Sequence, residues 1–287
     1  MIPEHLAARF GPLEPISTGM TPALPDLGEI KAVLFDVYGT LFISGSGDIS
    51  LAQSAVRADD SLAALLSKFG IETPPDILRE QFFAAIRDSH AKSKKMGADY
   101  PEVEIDAIWQ AVTGLQDLQR VRAFAIEYEI LINPVGPMPH LAEVLATCRS
   151  TGTAMGIISN AQFFTPLLFE WFLDAVPGEL GFSEELLFYS WQWGLAKPSE
   201  KLFRAAARRL SVRGIDPHQT LYIGNDMLND MLPAQSAGFR TALFAGDKRS
   251  LRLRKDDPRC SNLKPDMILT DLIQLAELWD IGYIGFF

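Results

Sequence analysis

The sequence predicts an α/β protein with two parts: a core built on a Rossmann-like parallel sheet, and an all-helical domain. Three apolar runs, each followed by polar residues, predict buried strands at Ile30–Phe35, Ala154–Ile158 and Leu221–Gly224. Between the first two runs, from about residue 50 to 131, apolar residues recur with the period of a helix. A sheet of this kind has its ligand crevice at the carboxyl ends of its strands, so the polar residues there are the first functional candidates.

Changes in composition along the chain predict the domain boundaries. Residues 1–28 are rich in Pro and Gly, and we expect an N-terminal extension that is laid on the core or trails from it. Residues 29–45 and 136–287 form the predicted α/β core. Residues 46–135 form the predicted helical domain, inserted after the first strand.

Periodic runs in the helical domain predict helices at Leu51–Val56, Ser61–Phe69, Asp76–Lys95 and Val103–Val112. Gly45–Gly47 and Asn133–Pro137 are the expected hinges, because Gly and Pro punctuate both segments. Later in the core, Arg240–Phe244 and Asp266–Thr270 have the composition of closing strands. The charged stretch Asp247–Asp257 is expected to be a solvated loop.

Composition argues against several classes of function. The chain has 287 residues, of which 48% are apolar, and a net charge of −10 that disfavours nonspecific nucleic-acid binding. No apolar run has membrane-spanning length, and the first thirty residues lack the pattern of a cleaved signal. Cys148 and Cys260 have no metal-ligand spacing and fit a reducing compartment. We therefore expect a cytoplasmic protein with no membrane or nucleic-acid partner, while its oligomeric state stays open.

The first strand ends in the most informative motif, Phe35-Asp-Val-Tyr-Gly-Thr-Leu41. Asp36 stands at the carboxyl end of a buried strand, where a carboxylate can act as a nucleophile and form an aspartyl phosphate or ester. The Thr40 hydroxyl is placed to hydrogen-bond the attacked group, and the loop amides, including that of Gly39, would face a bound anion. A plain Asp turn followed by Gly-Thr is the structural alternative.

Three further segments supply groups that an anionic substrate needs. Ser159 and Asn160 follow the second strand and can donate hydrogen bonds to an oxyanion. Lys197 precedes a proline that favours a helix start, which directs a cation toward the site. Asp226 and Asp230 follow the third strand at helical spacing.

Taken together, the four segments resemble the haloacid dehalogenase-like hydrolase superfamily. Its members use a strand-end Asp, a Ser or Thr, a Lys and a late acidic cluster, and the match spans Lys31 to Phe244 in order and separation. The resemblance implies a Rossmann-like core that supplies the chemistry and a helical cap that selects the substrate. It also implies that Asp36 is the nucleophile and that Lys197 bridges nucleophile and substrate.

The same resemblance assigns the remaining residues. Thr40 and Ser159 would contact an oxyanion, with Asn160 beside them. Asp226 falls where the family places a magnesium ligand, so Asp36, Asp226 and the backbone carbonyl of Tyr38 would bind Mg²⁺ through oxygen atoms. Asn225 and Asp230 would support the site, and Asp230 would brace the loop or Lys197. A helix N-terminal acid is an equally good interpretation of Asp230.

Tyr38 departs from the phosphatase pattern, in which a second Asp two residues after the nucleophile protonates the leaving group. A phenol with an ordinary pKa of about 10 is a poor substitute at neutral pH. Hydrolysis of ordinary alcohol phosphates should be impaired, and a substrate with an acidic leaving group, such as an acyl or aryl phosphate, is expected instead. The dehalogenase members carry Tyr at this position, and a departing halide needs no proton.

Other positions point away from the dehalogenases, which lack the acidic metal ligand and act without a metal. Here Asp226 is present, and Phe203 and Met227 replace a Tyr and an Asn of the dehalogenases. In the helical domain, Arg79 is the candidate for a substrate carboxylate, by a loose alignment to the dehalogenases. We expect an Mg²⁺-dependent hydrolase of a small phosphorylated metabolite; the alternatives are a metal-independent 2-haloacid dehalogenase and a catalytically weak ligand-binding member.

Overall fold

The central feature of the fold is a six-stranded parallel sheet. The computed structural model describes residue 6 and residues 10–45 and 59–279. The strands are β1 (Ala32–Phe35), β4 (Ala154–Ser159), β5 (Phe182–Tyr189), β6 (Thr220–Gly224), β7 (Arg240–Phe244) and β8 (Met267–Leu269). They lie side by side in the order β5-β4-β1-β6-β7-β8. The predicted fold class is confirmed, although the sequence did not predict β5.

Helices cover both faces of this sheet. Their bounds are Leu141–Ser150, Leu167–Leu173, Ser190–Trp193, Glu200–Val212 and Leu232–Ser236, with one π-helical turn at Met227–Met231 and 3₁₀ turns at Pro217–Gln219, Pro258–Cys260 and Leu272–Trp279. Alternate residues of β1 point into two different apolar clusters: Val33 and Phe35 into one, Ala32 and Leu34 into the other. A parallel strand buried on both faces explains the continuous apolar run in the sequence. No helix within the described ranges is long and apolar enough to cross a membrane.

Within the described ranges, four helices between β1 and β4 pack around an apolar cluster of their own. They are Asp59–Phe69, Pro75–Lys95, Ile105–Thr113 and Leu118–Ile132. At the centre of the cluster the ring of Trp109 stacks on that of Phe82, with centroids 4.0 Å apart. We call residues 59–132 the helical insertion. The predicted helix Leu51–Val56 and the hinge residues Ser46 and Gly47 lie outside the described residues.

A short antiparallel ribbon joins the helical insertion to the core. Strand β2 (Phe42–Ser44) pairs with β3 (Val135–Pro137), and the Ser44 hydroxyl donates to Oδ1 of Asn133 at 2.8 Å. The chain therefore leaves and re-enters the core through two adjacent strands. The domain boundaries and the hinge role of these segments stay proposals.

The N-terminal extension lies on the core. Ala23 and Ile268 exchange two backbone hydrogen bonds of 2.9 Å, which adds a bridge at the β8 edge of the sheet. The amide of Lys248 donates to the carbonyl of Ile16 at 2.8 Å, so the extension also holds the loop that follows β7. The prediction of a fully solvated loop there is wrong, because Asp247 is buried and accepts hydrogen bonds from Arg249.

Candidate active site

The predicted site residues gather at the carboxyl ends of three neighbouring strands. Strand β1 lies between β4 and β6, so Asp36 has Ser159 on one side and Asn225 on the other. The connection from β1 leads to β4 and that from β6 leads to β7, in opposite directions, and open α/β sheets form their ligand crevice where neighbouring connections diverge in this way. Asp36 and Ser159 are buried.

Lys197 connects the nucleophile candidate to the acidic end of the site. Its Nζ lies 2.7 Å from Oδ1 of Asp36 and 2.5 Å from Oδ1 of Asp230. Tyr222 completes the cluster, with Oη 3.2 Å from Nζ of Lys197 and 2.9 Å from Oδ1 of Asp230. The role of Tyr222 was missed, because an aromatic residue inside an apolar strand run predicts core packing.

Burial and pairing set the charge of this cluster. Burial alone would lower the pKa of Lys197, but the carboxylates of Asp230 and Asp36 outweigh it and raise that pKa, so the amine stays protonated. Burial raises the pKa of Asp230 to about 7, although Lys197 acts in the opposite direction. The proposed bracing role of Asp230 is consistent with this contact.

Asn160 holds the backbone of Lys197 on both sides. Its Oδ1 accepts from the Lys197 amide at 2.7 Å, and its Nδ2 donates to the Lys197 carbonyl at 3.4 Å. The sequence had suggested a substrate contact for Asn160. In the structure the side-chain amide of Asn160 has a different use, which is to hold the backbone of Lys197.

The hydroxyls of Thr40 and Ser159 have spare hydrogen-bonding capacity. Oγ1 of Thr40 is buried and has no hydrogen-bond partner among the described residues. Oγ of Ser159 makes one long contact of 3.4 Å with the carbonyl of Asn160. Buried polar groups are nearly always hydrogen-bonded, so an anionic ligand would complete the coordination of these hydroxyls.

Gly39 has a structural role in the loop after β1. Its amide donates to the carbonyl of Phe42 at 2.6 Å, so the predicted use of this amide for an anion is not what the structure shows. The residue has a φ of +81°, and a Cβ would lie 2.1 Å from Nδ2 of Asn225 and 2.4 Å from Cβ of Ser250. Only glycine fits this position.

The phenol of Tyr38 is buried and hydrogen-bonded, which makes it a poor group for acid–base chemistry. Its Oη lies 3.0 Å from Oγ1 of Thr165. Burial, with a smaller contribution from Glu129, raises the pKa of Tyr38 well above its usual range. The phenol is therefore a weaker proton donor than a free tyrosine, which argues against its use in protonating a leaving group.

Arg79 lies in the helical insertion on the helix Pro75–Lys95. Burial raises the pKa of the Tyr128 phenol to about 12, and the positive charge of Arg79 opposes that rise. A contact between Arg79 and a substrate carboxylate stays a prediction.

The helical insertion is docked on the segment that carries Lys197. The amide of Ala196 donates to the carbonyl of Tyr100 at 2.7 Å, and the Ser190 hydroxyl donates to Oε2 of Glu102 at 2.7 Å. Burial raises the pKa of Glu102. The insertion thus supports the segment of Lys197 from outside the core, a relationship that no sequence pattern indicated.

The side chains predicted to bind magnesium contact other groups of the chain in the structure, and Asp36 is bound to Lys197. Asp226 binds Arg254 instead, with Oδ2 of Asp226 2.6 Å from Nη2. The side chain that faces the Tyr38 carbonyl is Asn225, whose Nδ2 donates to it at 3.4 Å. Within the described ranges, no three His, Cys, Asp or Glu side chains form a group that could hold a metal. An amide nitrogen and a guanidinium-bound carboxylate do not fit the all-oxygen shell of Mg²⁺.

Comparison with known proteins identifies relatives over most of the chain. The family model described as haloacid dehalogenase-like hydrolase matches residues 30–238. A glyceraldehyde 3-phosphate phosphatase of Methanopyrus kandleri is 26% identical over 252 residues, which cover 86% of this chain and 99% of the relative. A second protein of that name, from Methanothermobacter thermautotrophicus, is 25% identical and covers 87% of this chain and 99% of its own length.

Solved structures share the fold. An HAD phosphatase from Thermococcus onnurineus superposes with a TM-score of 0.54 at 18% identity, covering 87% of this chain and 98% of its own. A 2-haloacid dehalogenase from Pseudomonas syringae pv. Tomato superposes with a TM-score of 0.53 at 21% identity, covering 88% and 98%. At these identities the likeness extends to the fold alone, and it favours neither activity.

Proposed function

The chain belongs to the haloacid dehalogenase-like hydrolases, and we propose that it hydrolyses a small phosphorylated metabolite through a covalent intermediate on Asp36. The observation that carries this proposal is the buried contact between Asp36 and Lys197 at the carboxyl end of β1. The curated relatives support a phosphorylated substrate, since they match nearly the whole chain and are named phosphatases. A cytoplasmic location and an anionic small-molecule substrate belong to the same proposal.

In the first step, a carboxylate oxygen of Asp36 attacks the phosphorus, and the bond from phosphorus to the leaving group breaks. Lys197 binds Oδ1 of Asp36, which fixes the carboxylate and leaves Oδ2 for the attack. The electron pair of the broken bond leaves with the leaving group. Thr40 and Ser159 supply hydroxyls for the phosphoryl oxygens.

In the second step, water attacks the phosphorus of the aspartyl phosphate and the bond to Asp36 breaks. The carboxylate is restored, and both hydrogens of the water leave on inorganic phosphate. Asp230 binds Nζ of Lys197 and so keeps the ammonium beside Asp36 during this step.

The leaving group decides which phosphates react. The phenol of Tyr38 is anchored on Thr165 and is a weak acid, so the leaving group departs without a proton from the protein. Acyl and aryl phosphates meet this requirement because their leaving groups are stable as anions. Glyceraldehyde 3-phosphate, named in the curated relatives, has an alcohol leaving group and should react more slowly here.

The test is phosphate release from acetyl phosphate, p-nitrophenyl phosphate and glyceraldehyde 3-phosphate, with Asp36→Asn as control. We expect the first two substrates to react faster than the third, and all turnover to disappear in the variant. Equal rates for the three substrates would contradict the leaving-group argument. Turnover in Asp36→Asn would contradict the nucleophile.

A second candidate function is that of a 2-haloacid dehalogenase. It is favoured by Tyr38 and by the pairing of Asp226 with Arg254, since halide departure needs neither a proton nor a metal. Chloride release from 2-chloropropionate, lost in Arg79→Ala, would establish it. Thermal stabilisation by a phosphorylated ligand without turnover would instead indicate that the protein is a catalytically weak member of the family that binds such a ligand.

A further inference from the structure

The loop after β7 is fixed on the acidic end of the site. The amide of Arg252 donates to the carbonyl of Asn225, and the amide of Met227 donates to the carbonyl of Arg252, both at 2.9 Å. On its outer side, the same loop is held by the extension through Lys248 and Ile16. Loop 247–254 is therefore clamped between the N-terminal extension and the end of β6.

This clamped loop places the guanidinium of Arg254 beside the carboxylate of Asp226. Nε of Arg254 lies 3.1 Å and 3.2 Å from the two carboxylate oxygens, and Nη2 lies 2.6 Å from Oδ2. The backbone of Arg254 has a φ of +49°, a left-handed conformation that non-glycine residues seldom adopt. A bidentate guanidinium–carboxylate pair is among the strongest charged contacts in proteins.

The other lone pairs of Asp226 are also engaged. Oδ1 accepts from the amides of Leu228 and Asn229 at 2.8 Å and 3.2 Å, and Oδ2 accepts from Nδ2 of Asn229 at 3.1 Å. The carboxylate thus caps the π-helical turn and pairs with Arg254 at the same time. A metal ion could bind it only by displacing these donors.

Asn225, rather than Asp226, faces the loop that carries the nucleophile. Its Nδ2 donates to the carbonyl of Ser250 at 3.0 Å and to that of Tyr38 at 3.4 Å. Because both partners are acceptors, they fix the amide with its nitrogen toward them. The Tyr38 carbonyl, the third predicted magnesium ligand, therefore faces a hydrogen-bond donor.

Each of the three carboxylates of the site has a cationic partner within the chain. Lys197 forms ion pairs with Asp36 and Asp230, and Arg254 forms an ion pair with Asp226. We propose that Arg254 is the resident counter-ion of Asp226 and that the hydrolysis at Asp36 proceeds without a divalent metal. This inference rests on the proposed function, but the binding of magnesium can be measured without any substrate.

The experiment compares the wild-type protein with Asn225→Asp, and takes Arg259→Gln as a control for a substitution outside the site. Arg259 pairs with Asp257 at the surface and does not contact Asp226. Magnesium binding is followed by calorimetry and by thermal unfolding, because a ligand that binds the folded state raises its stability. Phosphate release from acetyl phosphate is measured in EDTA and in magnesium.

We expect the wild-type protein and Arg259→Gln to bind no magnesium and to turn over equally in EDTA and in magnesium. Asn225→Asp places a carboxylate toward the Tyr38 carbonyl and should gain magnesium-dependent thermal stabilisation. Magnesium binding by the wild-type protein, with turnover lost in EDTA, would overturn the inference. Absence of turnover in both media, with no magnesium bound, would support the absence of a metal site and contradict the proposed function.

Discussion

Nζ of Lys197 lies 2.7 Å from Oδ1 of Asp36, although the two residues are 161 positions apart in the chain. The contact is buried, and Asp230 shares the same ammonium. Two carboxylates that share one cation in a dry site keep that cation protonated and in place. The geometry gives Asp36, the proposed nucleophile, a fixed orientation before substrate arrives, which is the form of preorganisation that catalysis requires.

Replacing this cation should cost both activity and stability. In Lys197→Met, Asp36 and Asp230 lose their common partner, and removal of one partner from a buried ion pair costs about 3–5 kcal/mol. We expect kcat/KM to fall roughly 10²–10³-fold, as for loss of a preorganised charge donor. Lys201→Met is the matched control, since Lys201 pairs with Asp99 at the surface and should contribute about 0–1 kcal/mol. Equal effects of the two substitutions would contradict this account.

Tyr38 should be dispensable for proton transfer. Tyr38→Phe removes only the hydroxyl that contacts Thr165, so hydrolysis of acetyl phosphate and its pH profile should change little. Tyr38→Asp adds a carboxyl group near the leaving group and should raise the rate on glyceraldehyde 3-phosphate relative to acetyl phosphate. The measurement is the ratio of kcat/KM for the two substrates, and an unchanged ratio in Tyr38→Asp would count against the leaving-group argument.

Two glycines with similar backbone angles should respond differently to alanine. Gly39 and Gly28 have φ values of +81° and +73°, but a Cβ at Gly39 meets Asn225 at 2.1 Å, whereas a Cβ at Gly28 meets no atom within 4 Å. Both substitutions carry the left-handed penalty of about 1–2 kcal/mol. We expect Gly39→Ala to destabilise the protein further and to abolish turnover, while Gly28→Ala keeps full turnover. Denaturant unfolding and phosphate release measure both quantities.

Glu129 should make stability depend on pH. Burial raises the pKa of Glu129 to about 7, although Asn133 donates a hydrogen bond of 3.0 Å to its carboxyl group. The folded state therefore binds more protons than the unfolded state between the two pKa values, and stability falls as pH rises from about 4.5 to about 7. Glu129→Gln should flatten the change in melting temperature over this window, with a remaining slope from Asp230. The exposed Glu143→Gln is the control, and the same slope in both variants would show that Glu129 is not the source.

The parts of the site that lie on strand ends could be predicted from the sequence. Apolar runs locate buried strands, and parallel strands bring their carboxyl ends to one edge, so Asp36 and Ser159 were expected to meet. Lys197 was predicted to direct a cation toward the site from its place before a proline, and in the structure its Nζ contacts Oδ1 of Asp36. Strand β5 escaped prediction because Phe182–Tyr189 mixes acidic and apolar residues in no clear alternation.

The contacts that depend on tertiary docking could not be predicted. Arg254 lies in a charged stretch whose composition is typical of a solvated loop, and only the extension that covers this loop places its guanidinium on Asp226. Asn225 was predicted as a supporting residue, but no periodicity indicates that its amide faces Tyr38 while Asp226 turns away. The use of Asn160 and Glu102 to hold the Lys197 segment likewise arises from long-range packing.

We expect Asp36 to become covalently modified during turnover. Mass spectrometry of protein mixed with acetyl phosphate and quenched in acid tests this most directly, because acid stops turnover before the adduct is released. We expect one phosphoryl group on the peptide that contains Asp36, and none in Asp36→Asn. Sustained phosphate release by the wild-type protein with no adduct on that peptide at any quench time would contradict the account.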